Sequence, residues 1–186
     1  MRVFIALEMP DAAAEVLRPC LAQLEREIGG VKWVAAHNLH LTLKFLGEVS
    51  QEQFDGLNSM LASIARRTTP FVLTYGQAGF FRSGGEPSVI WLGVAPHQEL
   101  QLLATQVASG AERLIPTPDR KPFRPHITLG RVRQPYRGPS LEIVSERVGA
   151  LALPAWPAQE LCVIKSELTP QGPIYSILSR HRLGGE

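Results

Sequence analysis

The sequence predicts an α+β fold assembled from two halves that echo each other. Three observations lead there. Segments with helical spacing of apolar residues alternate with strands that come in pairs, which favours α+β over a doubly wound parallel sheet. His40-Leu41-Thr42-Leu43 and His126-Ile127-Thr128-Leu129 repeat one pattern 86 residues apart, as an internal duplication would. Finally, 186 residues, 45% of them apolar and 19% charged, suffice for one large domain or two small lobes around a real core. The expected organisation is a single domain over 1–186 built from two intertwined pseudo-repeats.

The elements follow in order. Residues 2–8 are rich in β-formers and predict a strand. Asp11 is placed to cap a helix whose Leu17, Leu21, Leu24 and Ile28 recur at helical spacing and which Gly29-Gly30 ends. Pro19 inside that pattern is expected to kink or split it. Short and longer strands are predicted at Val31–Val34 and His40–Leu46. Ser50 with Gln53 forms a capping box ahead of a second helix with Phe54, Leu57, Leu61 and Ile64 on its buried stripe. Two β-rich runs, Phe71–Phe81 and Val89–Val94, are joined by a turn at Gly84-Gly85-Glu86-Pro87. A third helix is predicted over about 97–114, with Leu100, Leu103, Val107 and Leu114 toward the core. Pro116-Thr117-Pro118 then leads to a strand at His126–Arg133. Leu141–Val148 reads as a short helix, and Pro154 and Pro157 as breakers after it. The last feature is a hairpin, Leu161–Leu168 and Ile174–His181, turning through 169–173.

Composition excludes several function classes. No uncharged apolar stretch approaches the roughly 20 residues of a membrane span. The apolar run at Val3–Leu7 is cut by Glu8, too soon for a signal-peptide core, so a cytoplasmic protein, read as a monomer, is expected. The two cysteines, Cys20 and Cys162, lack zinc-finger spacing and are expected to be free. Net charge is only +2. Locally, however, Arg120, Lys121, Arg124, Arg131, Arg133 and Arg137 form a run of cations free of acids, suited either to a phosphate-bearing partner or simply to a solvated loop.

The repeated motif carries the chemistry. Two of the five histidines opening His-x-Thr-Leu should occur by chance a few times in roughly ten thousand such chains. On a strand, residues i and i+2 share a face about 6.5–7 Å apart, so His40 and Thr42 point one way while Leu41 and Leu43 anchor the core. His126 and Thr128 do the same over Ile127 and Leu129. If the halves pack around a pseudo-two-fold axis, two imidazoles and two hydroxyls line one cleft. A phosphodiester displacement needs a proton taken from the attacking oxygen and one given to the leaving oxygen, on opposite sides of phosphorus. Two facing histidines supply both, and the threonines donate hydrogen bonds to the non-bridging oxygens. The scheme requires no metal and no other cofactor.

These motifs resemble the paired signatures of the two-histidine phosphoesterase superfamily, and within it the RNA 2′,3′-cyclic phosphodiesterase or 2′-5′ RNA ligase family. The similarity runs almost end to end, through Arg2–Leu7, Leu39–Glu48, Arg124–Arg131, Ser166–Leu168 and Gly172–Tyr175. It implies a bilobal fold of two pseudo-symmetric lobes, each with an antiparallel sheet and flanking helices, and an active-site cleft between them. It also implies hydrolysis of RNA or nucleotide 2′,3′-cyclic ends to 2′-phosphomonoesters without a nucleotide cofactor, and reverse 2′-5′ ligation by the same groups. Arg131 falls where the family places a phosphate-binding arginine. Strict alternation would turn it away from His126, unless Gly130 permits a bulge or the strand ends there. Phe45 holds the matching place in the first half. It reads as core before it reads as a base contact.

Arg124 and Arg133 are candidate RNA contacts or a solvated rim. His37 and His40 form a His-x-x-His, yet residues three apart on a strand face opposite ways and no nearby Cys or carboxylate completes a metal site. No phosphate-loop or serine-esterase elbow motif is present. The residues lean toward His126 as base and His40 as acid without deciding it. Two other readings stand beside the cyclic phosphodiesterase: a non-catalytic RNA- or nucleotide-binding module, and a phosphodiesterase for another small cyclic phosphate.

Overall fold

Val3 to Leu7 form an unbroken apolar run because the strand they build is covered on both faces. The computed structural model describes residues 1–116, 122–169 and 172–185, and in it β1 (Arg2–Glu8) lies inside an antiparallel sheet. Val3, Ile5 and Leu7 enter the main core, while Phe4 and Ala6 pack on the other face with Cys162 and Ile164.

The described chain continues through α1 (Asp11–Glu27), β2 (Val31–Trp33), a 3₁₀ turn (Ala36–Asn38), β3 (His40–Glu48), α2 (Gln51–Arg67), β4 (Phe71–Leu73), β5 (Tyr75–Ser83) and β6 (Glu86–Val94). It closes with α3 (Gln98–Leu114), β7 (His126–Val132), α4 (Glu142–Gly149), β8 (Trp156–Ala158), β9 (Glu160–Thr169) and β10 (Gly172–Arg182). The main sheet runs β10-β9-β1-β3-β7-β6-β5, with β2 also on β7, and every pairing is antiparallel. Where β3 meets β7 a single residue pair, Leu41 with Ile127, registers. That seam separates two lobes, one from β10-β9-β1-β3 and one from β7-β6-β5 with β2. Leu41, Leu43, Ile127 and Leu129 are buried on the helix-covered side, which leaves the opposite face of the seam as the cleft. The predicted α+β class is the observed one.

Five local expectations need correction. Asp11 is the first residue of α1 and the cap position is Pro10, with no side-chain cap. Pro19 does not split α1: it lies on the exposed face, and burial of Leu17, Leu21 and Leu24 opposite holds the helix through it. The run from Phe71 divides at Thr74, because β4 leaves the main sheet to pair with β8. There Pro157 is tolerated inside a strand, as a two-stranded ribbon demands little from its missing N–H. Leu114, at the end of α3, is 37% exposed instead of buried.

The capping box is complete: Ser50 Oγ accepts from Gln53 N–H at 3.2 Å and Ser50 N–H donates to Gln53 Oε1 at 3.0 Å. The β5–β6 turn contracts to Gly84 and Gly85, both at positive φ, as a tight hairpin requires. Cys20 and Cys162 are free. Thr117 and Pro118 of the expected link, Arg120 and Lys121 of the cation run, and Pro170 and Gln171 of the hairpin turn lie outside the described residues. Among the described residues no helix is long and apolar enough to cross a membrane.

Candidate active site

The seam brings the two motifs together. A half-turn about the antiparallel Leu41·Ile127 pair exchanges His40 with His126 and Thr42 with Thr128. The flanking ladders agree residue for residue. Ile5, Ala6, Leu7 and Glu8 of β1 face Lys44, Thr42, Leu41 and His40. Ile90, Trp91, Leu92 and Gly93 of β6 face Gly130, Thr128, Ile127 and His126. Both ladders skip the motif leucine, so Leu43 and Leu129 are the extra residues of two β-bulges. His40 and His126 are diagonal neighbours across the seam, which ladder geometry sets about 7–8 Å apart, with the Cβ atoms somewhat closer.

The bulges decide what else reaches this face. Beyond Leu129 the alternation reverses: Gly130 and Val132 are buried and Arg131 is exposed, on the side of His126 and Thr128. Of the two outcomes open to Arg131, a bulge or a strand end, the bulge is the one realised. Gly130 serves it by space, since its φ is not positive. A methyl group there would stand 2.8 Å from Val31 Cγ1 and 3.3 Å from Trp33 Cε3. Phe45 swings round in the same way. It is 50% exposed, contrary to a core reading, and its ring centroid is 5.7 Å from that of Phe4.

Each imidazole is held identically. His40 Nδ1–H donates to the carbonyl of Asn38 at 2.7 Å, and His126 Nδ1–H donates to the carbonyl of Arg124 at 2.7 Å. A carbonyl only accepts, so Nδ1 carries a proton on each ring and Nε2 is the nitrogen left for chemistry, a base when bare and an acid when protonated. Aromatic rings fix the planes: Phe4 lies 4.7 Å from His40, and Tyr175 meets it edge-on at 5.4 Å. Phe81 meets His126 edge-on at 4.9 Å.

The surroundings shift both rings toward the neutral form. Burial is the main cause that lowers the His40 pKa, helped by His126 and Arg131 and opposed by the Asn38 carbonyl and the Glu8 carboxylate. Burial also lowers that of His126, with Arg131 adding and the Arg124 carbonyl opposing. Arg131 thus acts on both rings. Neither Thr42 nor Thr128 spends its hydroxyl on another described residue.

Other residues fall elsewhere. The side chains of Arg124 and Arg133 are exposed, Arg124 just before β7 and Arg133 just past its end. His37 sits on the 3₁₀ turn and lines a separate cavity of about 430 Å³ with Glu8, Cys162 and Arg180. Among the described residues no three His, Cys, Asp or Glu side chains gather to hold a metal ion. Sequence reasoning gave no role to Phe4, Phe81, Tyr175 or Glu8. Period-2 alternation along β1 could have flagged Phe4 and Glu8 as one face. Nothing local marks Phe81 or Tyr175, whose strands reach the site through long-range pairing.

The family model described as the 2′-5′ RNA ligase superfamily matches residues 7–169. The chain belongs to this superfamily. Among its relatives, a protein of Archaeoglobus fulgidus named RNA 2′,3′-cyclic phosphodiesterase is 33% identical over 178 residues, covering 96% of this chain and 98% of the relative. A Thermus thermophilus protein of the same name is 34% identical, covering 100% and 92%. Among solved members, TT0787 of Thermus thermophilus superposes with a TM-score of 0.82 at 32% identity and full coverage of both chains. LigT of E. coli in apo form gives 0.75 at 30% identity, covering 98% and 96%. A further structure of LigT holds 3′-AMP.

Proposed function

We infer that the protein is an RNA 2′,3′-cyclic phosphodiesterase, opening cyclic phosphate ends to 2′-phosphomonoesters by two-histidine acid–base catalysis. The observation that carries this reading is the pair of Nδ1-anchored imidazoles related by a half-turn about Leu41·Ile127. The relatives named for this activity support it.

His126 Nε2 takes a proton from water as the water oxygen attacks phosphorus. The bond from phosphorus to the ribose 3′-oxygen breaks, and His40 delivers a proton to that oxygen. The phosphate stays on the 2′-oxygen. The division of labour is supported by one break in the internal symmetry. Glu8 stands opposite His40 on β1, while the matching position opposite His126 is Gly93. A carboxylate favours the imidazolium, so His40 is the better acid. Arriving with its own negative charge, the cyclic phosphate favours protonation of His40 further. Thr42 and Thr128 donate to the non-bridging oxygens, and Arg131 meets the charge that accumulates there. Phe45 offers its exposed face to a base, and Arg124 and Arg133 lie at the two ends of β7 for backbone contacts.

The same groups run the reverse step, joining a 5′-hydroxyl end to a cyclic end through a 2′-5′ linkage, but water at about 55 M favours hydrolysis unless a second strand is held. One chain carries both histidines, so we take the enzyme to act as a monomer, in the cytoplasm. The deciding experiment supplies 2′,3′-cyclic nucleotides in the presence of a chelator and identifies the product. A 2′-phosphate is expected; a 3′-phosphate or no turnover would overturn the reading.

A further inference from the structure

Two cations near the cleft have no task in the mechanism above. Lys32 on β2 registers with Arg131 on β7, so the two side chains share a face. That face is the cleft side, because the Leu129 bulge has already turned Arg131 onto it. Lys32 is exposed while its neighbours Val31 and Trp33 turn toward Gly130. Its far end reaches the β9–β10 hairpin: a methyl group on Gly172 would stand 3.5 Å from Lys32 Cε and 3.7 Å from Nζ. Arg2 lies on the other lobe, on the same face of β1 as Phe4 and Glu8. Arg2 and Arg131 both act on the Tyr175 phenol, whose pKa burial raises and these two charges oppose. Tyr175 is therefore within electrostatic reach of both.

Five of the described lysine and arginine side chains pair with an acid, Arg18 with Glu15 among them. Lys44 pairs with Glu112, Arg147 with Glu27, Lys165 with Glu167, and Arg180 with Glu8 and Glu160. Lys32, Arg131 and Arg2 form no ion pair among the described residues. Glu48, which registers with Arg2, directs its carboxylate to the N-terminal ammonium at 3.1 Å. The result is a strip of unpaired cations running from β2 to β1, of which the bound cyclic phosphate needs only Arg131.

Resting on the cyclic phosphodiesterase reading, we propose that Lys32 and Arg2 bind backbone phosphates of the nucleotides preceding the cyclic end. The substrate is then an RNA strand, and a free cyclic mononucleotide engages only part of the site. Each phosphate contact on a single strand steepens the fall of log affinity with log salt by about 0.7.

The test measures kcat/KM for a 2′,3′-cyclic mononucleotide and for a cyclic-ended tetranucleotide between 50 and 200 mM salt. Wild type, Lys32→Gln, Lys32→Arg and Arg2→Gln are compared. The wild-type enzyme is expected to prefer the tetranucleotide, with the steeper salt slope. Lys32→Gln and Arg2→Gln should each lower the tetranucleotide-to-mononucleotide ratio about fivefold at low salt, the scale of one exposed charged contact. Each should also flatten the tetranucleotide slope by about 0.7. Lys32→Arg should keep the ratio, which a loss of folding or packing would not. A ratio unmoved by both charge removals, with hydrolysis intact, overturns the strip. Wild-type enzyme inert on both substrates overturns the reaction itself instead.

Discussion

Gly130→Ala tests whether the cleft depends on the close approach of β2 to β7. The added methyl would sit 2.8 Å from Val31 Cγ1, 3.3 Å from Trp33 Cε3 and 3.5 Å from the Lys32 carbonyl oxygen. Carbon atoms prefer about 3.5–4.0 Å, so the first contact is well inside the repulsive wall. Val31 is β-branched and has little rotamer freedom with which to yield, so β2 must move off β7. Overpacking of this kind costs about 1–3 kcal/mol. For a chain of this length each kcal/mol lowers Tm by roughly 2–4 °C, which predicts a fall of roughly 2–12 °C. The displaced segment adjoins Arg131, and misplacement near a reacting phosphate by about 1 Å costs up to about 10²-fold in rate. Thermal melts and kcat/KM on a cyclic nucleotide read the two effects. Adding Val31→Ala removes the methyl that clashes and should restore part of both. A Gly130→Ala protein that melts and turns over like wild type would refute the argument, as would a double variant with no recovery.

Replacing His40 or His126 with Ala should lower kcat by about 10²–10⁴ while circular dichroism melts stay near wild type. The double variant should fall little below the worse single one, because the two rings act as one unit; multiplicative losses would separate them. In Glu8→Gln the alkaline limb of the kcat/KM profile should move to lower pH, since that carboxylate opposes the lowering of His40; an unmoved limb removes Glu8 from the assignment. Burial holds His40, His126 and His181 below the imidazole value of the unfolded chain. The unfolded state therefore binds more protons as pH falls from about 6.5 toward the folded values, and stability is full above that window and lost through it. Urea melts at pH 7.5 and 5.5 should show the loss, and His126→Gln should shrink it. Ser50→Ala breaks a capping box complete on both arms and should cost about 1 kcal/mol in the same assay.

The face shared by His40 and Thr42, and by His126 and Thr128, was legible because it rests on period-2 alternation over four residues. Arg131 was not, because its direction depends on a bulge created by the register of β7 against β6, a strand some 40 residues earlier in the chain. Phe45 was misjudged for the same reason, through the bulge that β3 makes against β1. Pro19 and Pro157 misled where burial or a narrow ribbon outweighed local propensity. Tyr175 and Phe81 come from β10 and β5, at opposite ends of the sheet order, and only tertiary pairing brings their rings to the histidines. What the motifs alone could never supply is the difference between the halves. Two like motifs offer two like imidazoles, yet the proposed mechanism needs one to take a proton while the other gives one. Equivalent groups titrate alike, so the inequality has to come from neighbours that the repeat does not share. Two such positions flank the seam: Glu8 against Gly93, beside the rings, and Arg131 against Phe45, beyond the bulges. The first favours an imidazolium on one side only, and the second gathers the positive charge on the other. A cleft that was symmetric at both positions would bind the cyclic phosphate in two orientations and favour neither direction of attack.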